Sequence, residues 1–418
     1  MSNKTKSVRQ DDVHAEELKP KLRFPEFRDA GVWEEKQLGN LCCIRTGKKD
    51  ANEGSSNGLY PFFTCAENHI YSNTYSFDAE AILVAGNANV GQTKYYKGKF
   101  EAYQRTYVLT DFQKSINVAY LYSILSANLQ SSLIEQVQTS AMSYIKLPML
   151  QQYELAIPAH IEEQQKIADC LASIDDLIAA QTQKLGSFKA HKKGLMQQLF
   201  PGEGETVPKL RFPEFRDAPE WEESLLGSKT TKIGSGITPT GGEKAYKNEG
   251  RHFIRSQNIG WGCLILDDVA FIDEATHSTF STTEIKDGDV FLNITGASIG
   301  RSAVADSRVY GGNVNQHVCI IRAKQSELNP NFLNQYLLSQ NGQNQIDSFQ
   351  AGGNRQGLNY AQVRSFYLPL PPIEEQRQIA NCLSSVDVLI TAQAQKLDAH
   401  KAHKKGLMQQ LFPSLAKE

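Results

Sequence analysis

Pro20–Ala30 reads PKLRFPEFRDA, and Pro208–Ala218 repeats it letter for letter. Each copy runs on to Trp-Glu-Glu (Trp33 and Trp221) and then to Leu-Gly (Leu38-Gly39 and Leu226-Gly227). A longer block, Ile161–Pro201, recurs as Ile373–Pro413 with about 30 of 41 positions identical and no gap, ending both times in KAHKKGLMQQLFP. Self-similarity on this scale governs how the rest of a chain is read. Two half-proteins stand in tandem. Between the matched blocks the halves diverge: Gly39–Leu155 and Gly227–Tyr367 share little beyond scattered glycines, and the second is about 24 residues longer. Drift after a duplication would scatter identity along the chain, whereas here near-identical blocks flank dissimilar segments with abrupt edges. That is the pattern of a shared frame holding two exchangeable modules.

The long block predicts a helix. Pro158 in one copy and Pro371-Pro372 in the other halt the preceding segment, and Glu162-Glu163 and Glu374-Glu375 place acids where a helix N-terminus favours them. Apolar residues follow at alternating steps of four and three: Ile167, Leu171, Ile174, Ile178, Leu185, Phe188, Leu195 and Leu199, against Ile379, Leu383, Val386, Ile390, Leu397, Leu407 and Leu411. Such spacing makes a coiled-coil seam of about five heptads. Polar residues interrupt it at equivalent places, Gln181 with Gln393 and Lys192 with Lys404. Polar seam residues sacrifice stability to fix register and orientation, so the matched interruptions favour the helices pairing with each other. About 37 helical residues make a rod on the order of 55 Å long. The linker Gly202–Val207 leads from the first rod into the second module, so the second rod must come back along the first. The expectation is two antiparallel rods with a module at each end and an approximate twofold axis. The duplicated PKLRFPEF segment then reads as part of a circle opened at the termini.

A chain of 418 residues has room for about two to four domains. Apolar residues at 40% and charged residues at 22% allow real cores. Lys plus Arg number 44 against 46 acids, which excludes a globally basic, histone-like DNA binder but leaves room for a local basic surface. The first twenty residues lack the apolar stretch of a secretory signal, and no later stretch approaches the roughly 18 apolar residues of a membrane span. Seven cysteines without a CxxC read as reduced thiols, so a cytoplasmic protein without membrane attachment is expected. The domain plan is a polar tail at 1–19, a first module at 20–160, a helix at 161–201, a linker at 202–207, a second module at 208–372, a helix at 373–413 and a tail at 414–418. The fold class is α/β (α+β).

Both modules read as strand, glycine-bounded polar loop, then a strand bearing amide or Arg side chains. In the first, Ala81–Ala85 meets Gly86–Gly91, then Lys94–Lys99, then Tyr103–Val108. In the second, Asp289–Ile294 meets Thr295–Arg301, then Gly311–Val318. A helical stretch follows each, near Val118–Gln136 and Pro330–Asp347. Loops of lysine and tyrosine, as Lys94–Lys99 is read, suit phosphate contact, while Asn, Gln and Arg suit base edges. The candidate nucleic-acid contacts are therefore Lys94, Lys97, Lys99, Tyr103, Gln104 and Arg105 in the first module, and Arg255, Gln257, Asn258, Arg301, Asn315, Gln316 and Arg355 in the second. Against each stands the bland reading that charge runs are solvated faces and Gly-Asn loops are turns.

Catalytic chemistry is not visible. Gly234–Lys244 (GSGITPTGGEK) lacks the Lys-Ser/Thr of a phosphate-binding loop. Pro371-Pro372 is followed by Ile-Glu-Glu and opens a helix, so it is not the Pro-Pro-aromatic grip of an amino-methyltransferase. No Pro-Asp precedes an acid-x-Lys triple of the nuclease kind. Nine histidines, among them His69, His252 and His317, form no ligand spacing, and His191 and His403 sit in the Lys-rich rod ends as surface residues. No catalytic residue and no metal site is expected.

Variable modules alternating with near-identical long helices, the Ile-Glu-Glu-Gln helix start and the KKGLMQQLFP ending resemble the specificity subunit of type I restriction-modification enzymes. The resemblance covers Pro20 to Pro413. It implies a non-catalytic, DNA-binding subunit whose two target recognition domains each read half of a split sequence, Gly39–Leu155 one half-site and Gly227–Tyr367 the other. It implies paired helices, Ile161–Phe200 and Ile373–Phe412, that space the half-sites and dock two modification (methyltransferase) subunits. Cofactors would be absent from this chain. S-adenosylmethionine would come with the methylating partners, which flip an adenine into their own pockets, and ATP and magnesium with separate restriction subunits that translocate and cleave. The rival reading from another class is a coiled-coil adaptor whose modules bind proteins; it leaves unexplained why modules diverge between fixed helices.

Overall fold

The computed structural model describes residues 18–138, 144–350 and 357–413. They form two compact units: the chain up to Gln181 together with Lys396 onward, and Thr182–Gln395. The domain plan read from sequence keeps each long helix whole, but the units divide each helix in two, because each half packs on the module nearest to it.

In the first unit the strands are β1 (Glu34–Gln37), β2 (Cys43–Thr46), β3 (Tyr60–Phe63), β4 (Ile70–Ser72), β5 (Phe77–Ala85), β6 (Thr93–Ala102), β7 (Thr106–Thr110) and β8 (Glu154–Ile157); the helices are α1 (Val118–Gln138), α2 (Leu147–Gln151) and the start of α3 (Ile161–Leu199). Six strands make one sheet in the order β2-β7-β5-β6-β3-β4, antiparallel except where β3 meets β6. The apolar run Ala81–Ala85 and all of β7 are buried, as strands covered on both faces should be. α1 lays Tyr120, Leu121, Ile124, Leu125 and Leu129 into the core. β1 and β8 pair antiparallel, from Glu34 opposite Ile157 to Gln37 opposite Glu154, and so close the module where the chain enters and leaves it.

The second unit repeats this plan with breaks. Its strands are β9 (Glu222–Leu225), β10 (Thr230–Ser235), β11 (Arg251–Ile254), β12 (Ala270–Ile272), β13 (Asp289–Asn293), β14 (Ser302–Val304), β15 (Asn313–Val314), β16 (Val318–Ala323) and β17 (Tyr367–Leu370), with helices α4 (Glu274–Thr279), α5 (Pro330–Leu338), α6 (Gln340–Ser348), α7 (Tyr360–Arg364) and α8 (Ile373–Leu411). The orders β10-β16-β13-β14 and β12-β11-β15 reproduce the first sheet, including its parallel contact, now β11 with β15. The counterpart of β6 is thus split into β14 and β15 by residues 305–312. The single helix expected over Pro330–Asp347 is also two helices: it stops at Ser339, whose hydroxyl accepts from Gly342 N (3.2 Å) and caps α6.

Several bonds of the frame recur in both units. Arg23 forks onto Glu163 (both bonds 2.7 Å), and Arg211 onto Glu375 (both 2.8 Å), at carboxylates that are almost wholly buried. Gln164 accepts from Asn117 N (2.8 Å) and donates to Pro158 O (3.0 Å); Gln376 accepts from Asn329 N (2.9 Å) and donates to Pro371 O (2.9 Å). Leu38 N donates to Tyr153 O and Leu226 N to Phe366 O, each at 2.8 Å.

In the second unit Leu210 N donates to Gln198 O (2.9 Å), seating the repeated segment on the end of the helix it follows. In the first unit Leu22 N donates to Gln410 O (3.0 Å), so the same segment sits on the end of α8, to which no bond of the chain joins it.

Within each unit the two long helices run antiparallel. In the first, Lys404 pairs with Asp175 (2.5 Å), and Leu411 and Phe412 share a core with Ile167 and Leu171. In the second, Lys192 pairs with Asp387 (2.7 Å), and Leu199 and Phe200 share a core with Ile379 and Leu383. Of the seam positions, Ile167, Leu171, Ile379, Leu383, Val386, Gln393 and Leu397 are buried, while Ile174, Ile178, Gln181, Leu185 and Ile390 are half-buried. Among the described residues no helix is long and apolar enough to cross a membrane, and no group of three His, Cys, Asp or Glu could hold a metal ion.

Candidate nucleic-acid interface

In the first module the turn joining β6 to β7 is Tyr103-Gln104-Arg105; in the second, the turn joining β15 to β16 is Asn315-Gln316-His317. Their backbone bonds correspond. Tyr103 N donates to Phe63 O (3.0 Å) and Asn315 N to Ile254 O (2.9 Å). Gly86 N donates to Arg105 O (2.9 Å) and Ile294 N to His317 O (3.0 Å). Thr106 N closes the first turn on Tyr103 O (2.8 Å) and Val318 N the second on Asn315 O (3.3 Å). Gly47 and Gly236 lie beneath the tips, and a Cβ on either would collide with the carbonyl oxygen of Ala102 or Val314. Five of the residues singled out from sequence therefore occupy one topological position in two modules. They lie in tight turns, not along strands as the sequence pattern suggests, because the chain must reverse within three residues.

Around the first tip, Arg105 is exposed, lies over the Tyr144 ring (5.4 Å to the centroid) and makes no ion pair among the described residues. Gln104 donates to Asp50 Oδ2 (3.0 Å). Gly86, Arg105, Tyr144 and Lys146 line a cleft of about 450 Å³ beside it. Lys94 reaches Ala66 O (2.6 Å), and burial lowers its pKa; Cys65 Sγ lies 3.4 Å from Arg105 O, which ties that loop to the tip. Lys97 and Lys99 belong to a different surface. They lie on the exposed face of β6, Lys97 beside Glu80 (3.8 Å) and Lys99 over the Tyr75 ring (4.7 Å), whose hydrogen bond raises the lysine pKa. Lys94–Lys99, expected as a loop, is strand.

At the second tip Gln316 is exposed, and His317 Nδ1 lies 2.6 Å from Thr295 Oγ1 with Nε2 3.4 Å from the Gln316 amide. Asn315 is buried, and its Oδ1 accepts from His317 N (3.0 Å), so it shapes the turn. Arg301 is half-buried, with Nε unpartnered. Arg255 and Gln257 both engage Asp268, at 3.2 and 2.7 Å, and Arg255 also lies over the Tyr246 ring.

Asn258 is a correction. It is 1% exposed, accepts from Arg255 N (3.0 Å) and donates to Ile265 O and Asp268 O, which leaves it bracing the loop with nothing to offer a base. Arg355, with Asn354 and Gln356, lies outside the described residues. Sequence reasoning misses Tyr144, Lys146, Thr295 and His317. In the sequence His317 stands out only as a metal ligand to be weighed; its signal is its place in the turn, which matching the strands of the two modules exposes.

Models of the type I restriction modification DNA specificity domain match residues 31–187 and again 244–399. The EcoDI type I restriction enzyme specificity subunit of Escherichia coli is 34% identical over 174 residues, 41% of this chain and 38% of that subunit, so the match spans well under half of that relative. The MjaVIII specificity subunit of Methanocaldococcus jannaschii is 23% identical over 407 residues, 94% of this chain and 93% of that one. Among solved structures, the S subunit of a type I restriction-modification system from M. genitalium matches in fold with a TM-score of 0.66 at 14% identity, over 96% of this chain and all of that one.

Proposed function

This chain belongs to the type I restriction-modification DNA specificity family, as a non-catalytic specificity subunit with two specificity domains, and from that premise we propose how its residues divide the work. Each module reads one half of a split DNA target, with the turn Tyr103–Arg105 at one half-site and Asn315–His317 at the other. The observation that carries this reading is the coincidence of position with divergence of chemistry: the two turns hang from matching backbone bonds, yet one presents an Arg stacked on a tyrosine and the other a His bonded to a threonine. A guanidinium fork can bond two acceptors on guanine, and a glutamine amide can pair with adenine. Lys94 and Arg301 border the tips, where phosphates flanking the bases would lie.

The long helices dock methyltransferase subunits that bring S-adenosylmethionine, with restriction subunits, ATP and magnesium joining in the full assembly. Leu177, Val388 and Leu389 support a docking role, being large apolar residues exposed on those helices. The gap between half-sites would follow from helix length, so a turn inserted near Gln181 should change it.

The decisive experiment replaces residues 39–155 with the corresponding module of another family member and maps DNA methylation genome-wide in a host expressing the partner subunits. One half of the recognised motif should change and the other persist. Retention of both original halves would sink the modular reading, and a chain that supports no motif-specific methylation at all would favour an adaptor that binds proteins.

A further inference from the structure

The second unit contains a basic groove apart from the turn. Lys189, Lys192 and Lys193 are spaced to share one face of α3, and Lys209 follows from the repeated segment. Across from them α6 begins, and Gln340 and Asn341 complete a groove of about 620 Å³ that no carboxylate lines. Lys192 is committed to Asp387, but Lys189, Lys193 and Lys209 are exposed and make no ion pair among the described residues. Ser339 already takes the Gly342 and Gln343 amides, and the start of α6 adds partial positive charge to the same concavity.

Hydrogen bonds tie the helix that walls the groove to the loop behind the recognition turn. Asn341 Nδ2 donates to Pro201 O (2.7 Å), and two residues along α6 Gln343 Nε2 donates to Gly300 O (3.1 Å). Gly300 ends the loop that starts at Thr295, the partner of His317. The first unit has the same lysines, Lys401, Lys404, Lys405 and Lys21, but there the counterpart helix α1 runs unbroken from Val118 to Gln138.

We propose that this groove seats one or two phosphates of the DNA backbone beside the half-site read by the second module, a role that rests on the function proposed above and deepens it. Lysine and helix-start amides recognise phosphate charge without reading sequence.

The test measures binding of the full chain, co-purified with its methyltransferase subunits, to a duplex of arbitrary sequence as salt is raised. The triple variant Lys189→Gln, Lys193→Gln, Lys209→Gln should flatten the slope of log affinity against log salt by about 0.9 for each phosphate that is no longer neutralised. The matched variant Lys21→Gln, Lys401→Gln, Lys405→Gln should change it by less than half as much. An unaltered slope in the first variant, or equal flattening in both, overturns the groove. So does loss of the methyltransferase subunits from the complex with the slope unchanged, which would make the groove a protein-docking site. Wild-type complex that binds no DNA would instead sink the underlying reading.

Discussion

The two modules share a strand order and differ wherever the chain is free of the frame. β6 is one strand of ten residues, Thr93–Ala102, whereas β14 and β15 are short pieces parted by 305–312; α1 is one helix, whereas α5 and α6 are broken at Ser339. The main bonds to the long helices do not follow this divergence: the Arg–Glu fork, the bridging glutamine and the helix-end amide recur with distances within about 0.1 Å. The lesson is mechanical. A module is accepted by its frame through a few buried polar bonds and an apolar core shared with the long helices, and the chemistry away from both differs between the modules.

The largest expected effect tests those bonds. Arg23→Ala and Arg211→Ala each leave a buried carboxylate without its cation, a change that costs about 3–5 kcal/mol. The two should not be equal. In the second unit Lys209–Ala218 remains joined to α3 through the linker, while in the first Lys21–Ala30 is held on α8 only by non-covalent bonds such as Leu22 N to Gln410 O. Arg23→Ala should therefore speed amide exchange at the end of α8 more than Arg211→Ala does at the end of α3. Equal protection in the two variants would mean that the chain connection contributes nothing.

A finer asymmetry lies at the repeated tryptophans. Trp33 Nε1 donates to Glu163 Oε1 (3.2 Å), whereas the buried Trp221 Nε1 has no partner among the described residues. Trp→Phe removes similar volume at both sites, but at Trp33 it also removes a bond to a charged acceptor and at Trp221 it removes an orphaned donor. The costs should differ by on the order of 3 kcal/mol, with Trp33→Phe the more destabilising. Unit-resolved hydrogen exchange or denaturant titration of the two variants measures the difference. Equal losses would show that Trp221 finds a water.

How much of this is legible in the sequence depends on repetition. The frame is readable because identical letters recur: PKLRFPEF and the long block announce the duplicated helices and their antiparallel return, and the bond from Leu22 to Gln410 matches that from Leu210 to Gln198. Inside the modules no second copy serves as a ruler. Lys94–Lys99 reads as a loop since lysine and tyrosine carry little period-two contrast, though exposure alternates along β6. Asn258 reads as a base contact because nothing local says that an Asn turns inward to cap its own loop. Tyr144 comes to Arg105 from about forty residues away, a pairing that only the fold creates.

The smallest effect is the one closest to function. Arg105→His and His317→Arg exchange the side chains at matched positions while leaving the backbone bonds of both turns in place. His lacks the fork that holds two acceptors, so Arg105→His should lower discrimination at one base pair of the first half-site by about 1–3 kcal/mol. His317→Arg should shift preference at the second half-site alone, and more weakly, because Thr295 already fixes how far the native imidazole reaches. Competition among duplexes randomised at single positions reads both. A loss spread evenly over all sequences, with a shallower salt slope, would reassign these side chains to phosphate contact. The difference between the modules would then have to lie in Gln104, Gln316 and the loops Gly86–Gly91 and Thr295–Gly300, whose chemistry the frame leaves equally free.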